Sequence, residues 1–195
     1  WNEAMHLPEA LYNIEQWMRQ QENAATKITE QILQVNSFSH FLAVIFGIGI
    51  LTGIGEEMIF RGVLQRIVQD KNHRAHVAVW ICAFLFSAIH LQFYGFIPRL
   101  LLGAFFGYLL VWSKNLWLPI FAHLFNNSTV ASISYFTNDK SPYNLIETIG
   151  TSGSPTSWLA GASLIGTVIL LYVLYKKVFV SKSKEFFPME DKITP

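Results

Sequence analysis

Three charged residues lie within one long apolar stretch, and they constrain what this chain can fold into more than any other feature. Glu56, Glu57 and Arg61 stand in Gly-Ile-Gly-Glu-Glu-Met-Ile-Phe-Arg-Gly at 53–62, inside an apolar segment of about residues 38–68. Ionisable groups at membrane depth are costly and usually functional. The simpler alternative is a helix end at which the charges reach water, and the stretch favours function over it.

Helical spacing assigns different environments to the two glutamates. Glu57 and Arg61 are four residues apart with the acid first, so they share a face and can form an ion pair. Glu56 points about 100° away from Glu57 on a 3.6-residue helix. We therefore expect Glu57 to be structural, neutralised by Arg61, and Glu56 to be available for chemistry.

The composition favours an all-α, polytopic transmembrane helical bundle. The chain has 195 residues, of which 52% are hydrophobic and only 14% are charged, whereas soluble domains usually carry about 25% charged residues. A formal net charge of +1 argues against a nucleic-acid partner, and a single cysteine excludes an intrachain disulfide. Because the chain begins with Trp1, we expect it to be a fragment or a processed form.

Residues 1–36 are predicted to form an amphipathic helix that lies at the membrane interface or packs on the helical body. Its charged face is net acidic, which favours packing on protein over binding to anionic lipid. The apolar side chains recur at spacings of three, four or seven, as Leu7, Leu11, Ile14, Met18, Ala25, Ile28, Ile32 and Val35. The charged face carries Glu9, Glu15, Arg19, Glu22 and Glu30.

Five apolar segments follow and predict membrane helices, which need about 20 apolar residues each. They cover approximately 38–68, 76–93, 95–112, 117–136 and 157–180, with a polar loop at 137–156. The predicted organisation is thus an amphipathic interfacial helix at 1–36, a transmembrane core at 37–180 and a polar tail at 181–195.

The positive charges predict the orientation of these helices. Alternating the five helices collects most lysines and arginines on one side, which the positive-inside rule makes cytoplasmic. The other side has mainly Lys140, with Arg99 near a helix end. The residues collected on the cytoplasmic side are Arg66, Lys71, Arg74, Lys114, Lys176, Lys177, Lys182 and Lys184.

Two histidines in the apolar segments are candidates for chemistry. His90 follows Phe86 by four residues, so the two rings can pack on one helix face. Taken alone, such a histidine is more often packed or solvated than catalytic. His123 precedes Asn126 and Asn127 by three and four residues, so either amide could lie beside it.

The position of His123 near a helix start suits the stabilisation of an anion. It lies about one turn after Pro119, and a helix N-terminus carries partial positive charge. A hydrogen-bond donor placed there could stabilise a developing oxyanion. The simpler alternative is that His123 bridges two helices, as polar residues in membrane proteins often do.

Depth brings the candidates together. At 1.5 Å per residue, Glu56, His90 and His123 lie roughly 18, 21 and 9 Å from the proposed cytoplasmic ends. One cavity opening to the cytoplasm could therefore hold all three, with Glu56 as the general base that activates water. A glutamate with two histidines is also a zinc-type ligand set, although the spacing is not the H-E-x-x-H of a helical zinc protease.

These residues also carry a resemblance to a known family. In order along the chain, three motifs resemble those of the CPBP family, which comprises the type II CAAX prenyl endopeptidases and the bacterial Abi-type membrane proteases. The motifs are Glu56-Glu57-x-x-x-Arg61, Phe86-x-x-x-His90 and His123-x-x-x-Asn127.

The resemblance implies an intramembrane endopeptidase whose site lies inside the helical bundle. It implies that Glu56 activates water, which His90 helps to hold, and that His123 and Asn127 stabilise the oxyanion. Glu57 and Arg61 would support the site. Because the family pattern offers a base and an oxyanion role without an ion, no cofactor is predicted, and zinc is the alternative.

The predicted partners are a membrane-anchored peptide or protein substrate and the lipid bilayer. The family resemblance implies a bacterial cell membrane and a CAAX-type or bacteriocin-like substrate. Two other functions stay open from the sequence. One is a non-catalytic immunity or scaffold protein on the same fold; the other is a small transporter or proton relay, although the inverted repeat of many transporters is missing.

Overall fold

The computed structural model describes residues 7–72, 74–137, 157–174 and 176. Within these residues the chain is helical and forms no strand, so the predicted all-α bundle is confirmed. The helices are α1, Tyr12–Leu33; α2, described below; α3, Ala75–Ala88; α4, Phe96–Ser113; α5, Trp117–Thr137; and α6, Ser157–Leu174. Residues 138–156 of the loop predicted at 137–156 and the predicted tail at 181–195 lie outside the described residues, and Thr137 ends α5.

Helix α2 is one continuous helix built from alternating α-helical and π-helical pieces. Two π-helical stretches flank a short α-helical piece that ends in the two glutamates, and such stretches frequently occur at functional sites. The five pieces are Phe38–Val44 (α), Ile45–Leu51 (π), Thr52–Glu57 (α), Met58–Leu64 (π) and Gln65–Asn72 (α).

Two of the described helices are long and apolar enough to cross a bilayer. They are the 32-residue stretch Phe38–Gln69 of α2 and the 18 residues of α4. At 1.5 Å per residue the first extends about 48 Å, more than the thickness of about 30 Å of a hydrocarbon core. Helix α3 is apolar but shorter, with 14 residues.

The bundle buries several polar and charged side chains and exposes many apolar ones, as expected for a protein surrounded by lipid. Glu57 and Arg61 are fully buried, whereas Phe46, Ile59 and Phe125 are 56%, 61% and 73% exposed. Apolar side chains facing outward on this scale would be unusual for a soluble protein. The packing therefore supports a membrane environment for these helices.

Glycine allows α2 and α5 to approach closely beside the glutamates. A Cβ placed on Gly53 would lie only 3.3 Å from the backbone nitrogen of Leu124. Three residues later on α2 comes Glu56, and one residue before Leu124 on α5 comes His123. Small residues let helix backbones approach in membrane proteins, and here that approach brings the two candidate residues together.

Helix α1 contacts the rest of the protein through its charged face. Glu15, on the predicted charged face, is buried, and its carboxylate accepts hydrogen bonds from the Leu7 amide and the Arg19 side chain. The apolar residues Ile14 and Ile28 are 50% and 58% exposed. The predicted packing on protein is confirmed at the C-terminal end, where Leu33 contacts Val44 and Ala131.

The second apolar segment ends earlier than predicted. The segment was expected to reach residue 93, but α3 ends at Ala88 and His90 lies in the following turn. Leu91 then adopts φ = 53°, the left-handed region that a branched side chain rarely occupies. This turn stops the helix, so His90 extends from its end rather than from its middle.

Candidate active site

The predicted ion pair between Glu57 and Arg61 is present and buried. Arg61 Nη1 donates to Glu57 Oε1 over 2.9 Å, and the two side chains are 1% and 0% exposed. Arg61 Nη2 donates in turn to the carbonyl oxygen of Gly103 over 2.8 Å. A buried charge is tolerated only when it is paired and hydrogen-bonded, and this arginine meets both conditions.

Aromatic rings enclose the guanidinium group of Arg61. Its central carbon lies 4.8 Å from the ring centre of Phe86, 5.6 Å from that of Phe106 and 5.8 Å from that of Phe60. Such distances allow cation–π attraction, which is stronger where water is excluded. The rings therefore stabilise the charge and keep the side chain in one orientation.

His123 joins this buried pair from α5. Its Nδ1 lies 2.8 Å from Glu57 Oε1, and its ring stacks on Phe106 with centres 4.9 Å apart. Because a carboxylate that is paired with arginine accepts hydrogen bonds, Nδ1 must carry the hydrogen. Glu57 thus fixes both the orientation and the tautomer of His123, and leaves Nε2 facing the other way.

Glu56 occupies a different environment, as its position on the helix predicts. Its side chain is 24% exposed, and its two carboxylate oxygens face two imidazoles. The Nε2 atom of His123 lies 3.7 Å from Glu56 Oε2, and the Nε2 atom of His90 lies 3.9 Å from Glu56 Oε1. The structure therefore brings these three predicted site residues together.

His90 is also fixed in one tautomer. Its Nδ1 lies 2.7 Å from the carbonyl oxygen of Phe86, and its ring centre is 5.1 Å from the Phe86 ring, so the predicted packing of these two rings is confirmed. A carbonyl oxygen only accepts, so Nδ1 carries the hydrogen. The Nε2 atoms of His90 and His123 therefore both face Glu56, and in the neutral imidazole neither Nε2 atom carries a hydrogen.

The geometry around Glu56 suits a bound water molecule. Both Nε2 to carboxylate distances exceed the length of a direct hydrogen bond, which is about 3.2 Å at most. They are short enough for one water to contact a carboxylate oxygen and an imidazole nitrogen together. A water has two hydrogens, so the Glu56 carboxylate and one imidazole nitrogen could each accept one, which would hold the water while Glu56 removes its proton.

The two asparagines after His123 make other contacts. Asn127 Nδ2 donates to the carbonyl oxygen of Ile48 on α2 over 3.1 Å, and Asn126 Nδ2 donates to Asn127 Oδ1 over 3.3 Å. Ile48 lies in a π-helical stretch, where backbone carbonyls are in irregular positions. Asn127 therefore joins α5 to α2 two helical turns before Glu56.

The donor groups do not form a ready metal site. Over the ranges that the structure describes, no group of three or more histidine, cysteine, aspartate or glutamate side chains is arranged to hold a metal ion. His123 uses Nδ1 on Glu57, and His90 uses Nδ1 on the Phe86 carbonyl. Zinc would therefore have to draw together Glu56 and the two Nε2 atoms, and no reaction step is assigned to it here.

One buried polar residue of this region was missed from the sequence. Gln65 is 1% exposed, and its Nε2 donates to the carbonyl oxygen of Gly107 over 3.2 Å. It repeats the contact of Arg61 with Gly103 one turn further along both helices. The spacing in the sequence could have identified it, because Gln65 follows Arg61 by four residues, as Arg61 follows Glu57.

Comparison with known proteins agrees with this arrangement of residues. The family model described as Type II CAAX prenyl endopeptidase Rce1-like matches residues 38–129. Residues 38–129 are an Rce1-like domain. The resemblance drawn from the motifs is thereby confirmed, and the six predicted site residues lie within the matched residues. They are Glu56, Glu57, Arg61, His90, His123 and Asn127.

The Rce1-like domain also has a relative among curated proteins. The uncharacterized protein YpbD of Bacillus subtilis (strain 168) is 29% identical over 108 residues, which are 53% of this chain and 50% of YpbD. The chain thus spans about half the length of that relative. No solved structure matches the chain. The family and the two long apolar helices together indicate a membrane protein of a protease family.

Proposed function

We propose that this protein is an intramembrane endopeptidase, a hydrolase that cleaves a peptide bond of a membrane-anchored peptide or protein. The observation that carries the proposal is the position of Glu56. Its partly exposed carboxylate faces the Nε2 atoms of His90 and His123 at 3.9 and 3.7 Å, while the adjacent Glu57 is buried and paired. One carboxylate is thus free to react and the other is not.

In the proposed reaction Glu56 acts as the general base. It removes a proton from the water that lies between it and the imidazoles, and the oxygen of that water attacks the carbonyl carbon of the peptide bond. The C–N bond then breaks, and the proton held by Glu56 passes to the leaving nitrogen. The products are a carboxylic acid and an amine, so water is the only other reactant.

The negative oxygen of the tetrahedral intermediate needs hydrogen-bond donors. His123 can donate from Nε2 only when that nitrogen is protonated as well, because Nδ1 donates to Glu57. Asn127 is the second proposed donor, through the amide hydrogen that does not bind Ile48.

The proposal includes the surroundings of the site. The domain would work in the bilayer of a bacterial cell membrane as a multi-pass protein, with its site opening to the cytoplasm as the charge pattern predicts. Its substrate would be CAAX-type or bacteriocin-like. The reaction as written needs no cofactor, and zinc held by Glu56, His90 and His123 is the alternative to test.

Cleavage of membrane-anchored peptides by the purified full chain in detergent tests the proposal. Glu56→Gln keeps the shape of the side chain but removes the base, and we expect it to reduce kcat/KM by about 10² or more. Glu30→Gln makes the same change on α1, away from the site, and should leave kcat/KM unchanged. Equal activity of Glu56→Gln and wild type would overturn the proposed role.

A chelator separates the two chemistries. We expect the wild type to keep cleaving in the presence of chelator. We expect His90→Ala to lose cleavage both with and without chelator. Loss of wild-type cleavage in chelator, restored by zinc, would instead make Glu56, His90 and His123 metal ligands. If folded wild type cleaves none of a broad panel of CAAX-type and bacteriocin-like peptides, the hypothesis of a non-catalytic scaffold protein replaces that of an endopeptidase.

A further inference from the structure

The loop that follows His90 lies where irregular backbone needs protection. Helix α3 has 14 residues, or about 21 Å, so it ends before it could cross a hydrocarbon core of about 30 Å. The loop Leu91–Gly95 that follows would lie at membrane depth, where non-helical backbone is tolerated only if protein covers it. Leu91 is also held in the left-handed region at φ = 53°. Something must therefore hold this loop.

The charged face of α1 supplies that cover. Glu22 Oε2 accepts a hydrogen bond from the backbone amide of Tyr94 over 3.2 Å. Beside this contact, the guanidinium of Arg19 lies 5.2 Å from the centre of the Tyr94 ring, and the ring of Trp17 lies 5.2 Å from that of Phe93. Trp17, Arg19 and Glu22, which lie within two turns of α1, thus contact two adjacent residues of the loop.

The orientation of α1 agrees with such a role. The charged side chains Arg19 and Glu22 face the loop, while the apolar residues Ile14 and Ile28 are 50% and 58% exposed. A helix that lies between protein and lipid would have this arrangement. The bond between Glu22 and Tyr94 is partly buried, and a hydrogen bond in less polar surroundings is stronger than one at an exposed surface.

The loop is directly connected to the proposed site. His90 immediately precedes it, and the far end is fixed by Ser87 Oγ, which donates to the carbonyl oxygen of Phe96 over 2.7 Å. Arg99 contacts Gln92 from α4. Between these two ends, Glu22 provides the described side-chain hydrogen bond from α1 to the loop backbone.

We propose that Glu22 is a positioning residue: its carboxylate holds the Leu91–Gly95 loop and thereby keeps His90 Nε2 directed at Glu56. Without this bond the strained Leu91 turn can relax, and the end of α3 that carries His90 moves with it. The catalytic half of the proposal rests on the proposed endopeptidase function, whereas the holding of the loop does not.

Hydrogen exchange of the full chain in lipid nanodiscs tests the holding of the loop without using activity. We expect Glu22→Leu to speed exchange of the 91–95 amides by about tenfold or more, because it removes the acceptor of the Tyr94 amide. Glu22→Gln keeps an acceptor oxygen and should exchange like wild type. Glu30→Leu, on the same helix, is the matched control and should also match wild type.

Trp17→Ala guards against a Glu22→Leu variant that does not fold. It removes only the contact with Phe93 from a partly exposed residue, and we expect faster exchange of the same loop amides. Unchanged exchange at 91–95 in both Glu22→Leu and Trp17→Ala would overturn the proposal. So would equal acceleration in Glu30→Leu, since the effect would then belong to α1 as a whole.

Kinetics test the link from the loop to His90. We expect Glu22→Leu to lower kcat by about tenfold or more with KM unchanged, because a small displacement of a catalytic group costs rate rather than binding. Glu22→Gln should restore kcat. Faster loop exchange in Glu22→Leu with normal kcat would overturn the positioning role. If the wild type is inactive while Glu22→Leu still speeds loop exchange, the result would count against the proposed function only.

Discussion

His123 Nδ1 lies 2.8 Å from Oε1 of Glu57, the same oxygen that Arg61 contacts at 2.9 Å. One carboxylate oxygen of Glu57 thus contacts both Arg61 on α2 and His123 on α5. The imidazole takes its orientation from this contact and turns Nε2 toward Glu56. Glu57 therefore acts on the site through His123, although it is completely buried.

Replacing each glutamate by glutamine should separate stability from activity. Glu57→Gln leaves Arg61 as a buried charge without its partner, and breaking a buried pair costs about 3–5 kcal/mol. Glu56→Gln affects a partly exposed side chain and should change stability by no more than about 0.5 kcal/mol. Thermal unfolding in detergent, followed for both variants beside wild type, measures the difference; similar losses would contradict the assignment of the two carboxylates.

Arg61→Lys should also destabilise the protein, although the charge is kept. Lysine lacks the planar group that contacts Glu57 and the Gly103 carbonyl at the same time. Losing one hydrogen bond to a charged group costs about 1.5–3 kcal/mol. The measurement is again the unfolding temperature, with Arg66→Lys on the exposed side of α2 as the control. An unfolding temperature equal to that of wild type would show that charge alone suffices at this position.

Two neighbouring glycines of α2 should respond to alanine in opposite directions. A Cβ on Gly53 would lie 3.3 Å from the backbone nitrogen of Leu124, whereas a Cβ on Gly55 meets nothing within 4 Å. Overpacking against backbone costs about 1–3 kcal/mol, and replacing an unobstructed helical glycine by alanine gains about 1 kcal/mol. If Gly53→Ala were as stable as Gly55→Ala, the close approach of α2 and α5 would be wrong.

Asn127→Ala tests whether this residue is a helix contact or also an oxyanion donor. Loss of its bond to Ile48 should lower the free energy of unfolding by about 1 kcal/mol. If Asn127 also stabilises the oxyanion, kcat should fall by about 10² or more with KM little changed. Unfolding and steady-state kinetics on one preparation distinguish the two. A stability loss with normal kcat would leave only the structural role.

Contacts between residues one helical turn apart could be predicted from the sequence. Glu57 meets Arg61 and Phe86 meets His90, because a 3.6-residue period fixes which side chains share a face whatever surrounds the helix. The same period separated Glu56 from Glu57. These relations depend only on local backbone geometry, so the amino-acid order was sufficient for them.

Contacts between helices could not be predicted in this way. Three such contacts depend on how the helices approach one another. They are His123 with Glu57, Asn127 with Ile48, and Glu22 with the amide of Tyr94. These approaches are set by small residues such as Gly53 and by the packing of distant side chains.

The sequence by itself therefore determined the helical class, the four-residue pairs and the different helix faces of Glu56 and Glu57. Only the tertiary structure decided the partners of His123 and Asn127, the end of α3 at Ala88 and the inward direction of the charged face of α1. The physical reason is that helical periodicity is a local property, whereas the rotation and spacing of packed helices depend on the whole bundle.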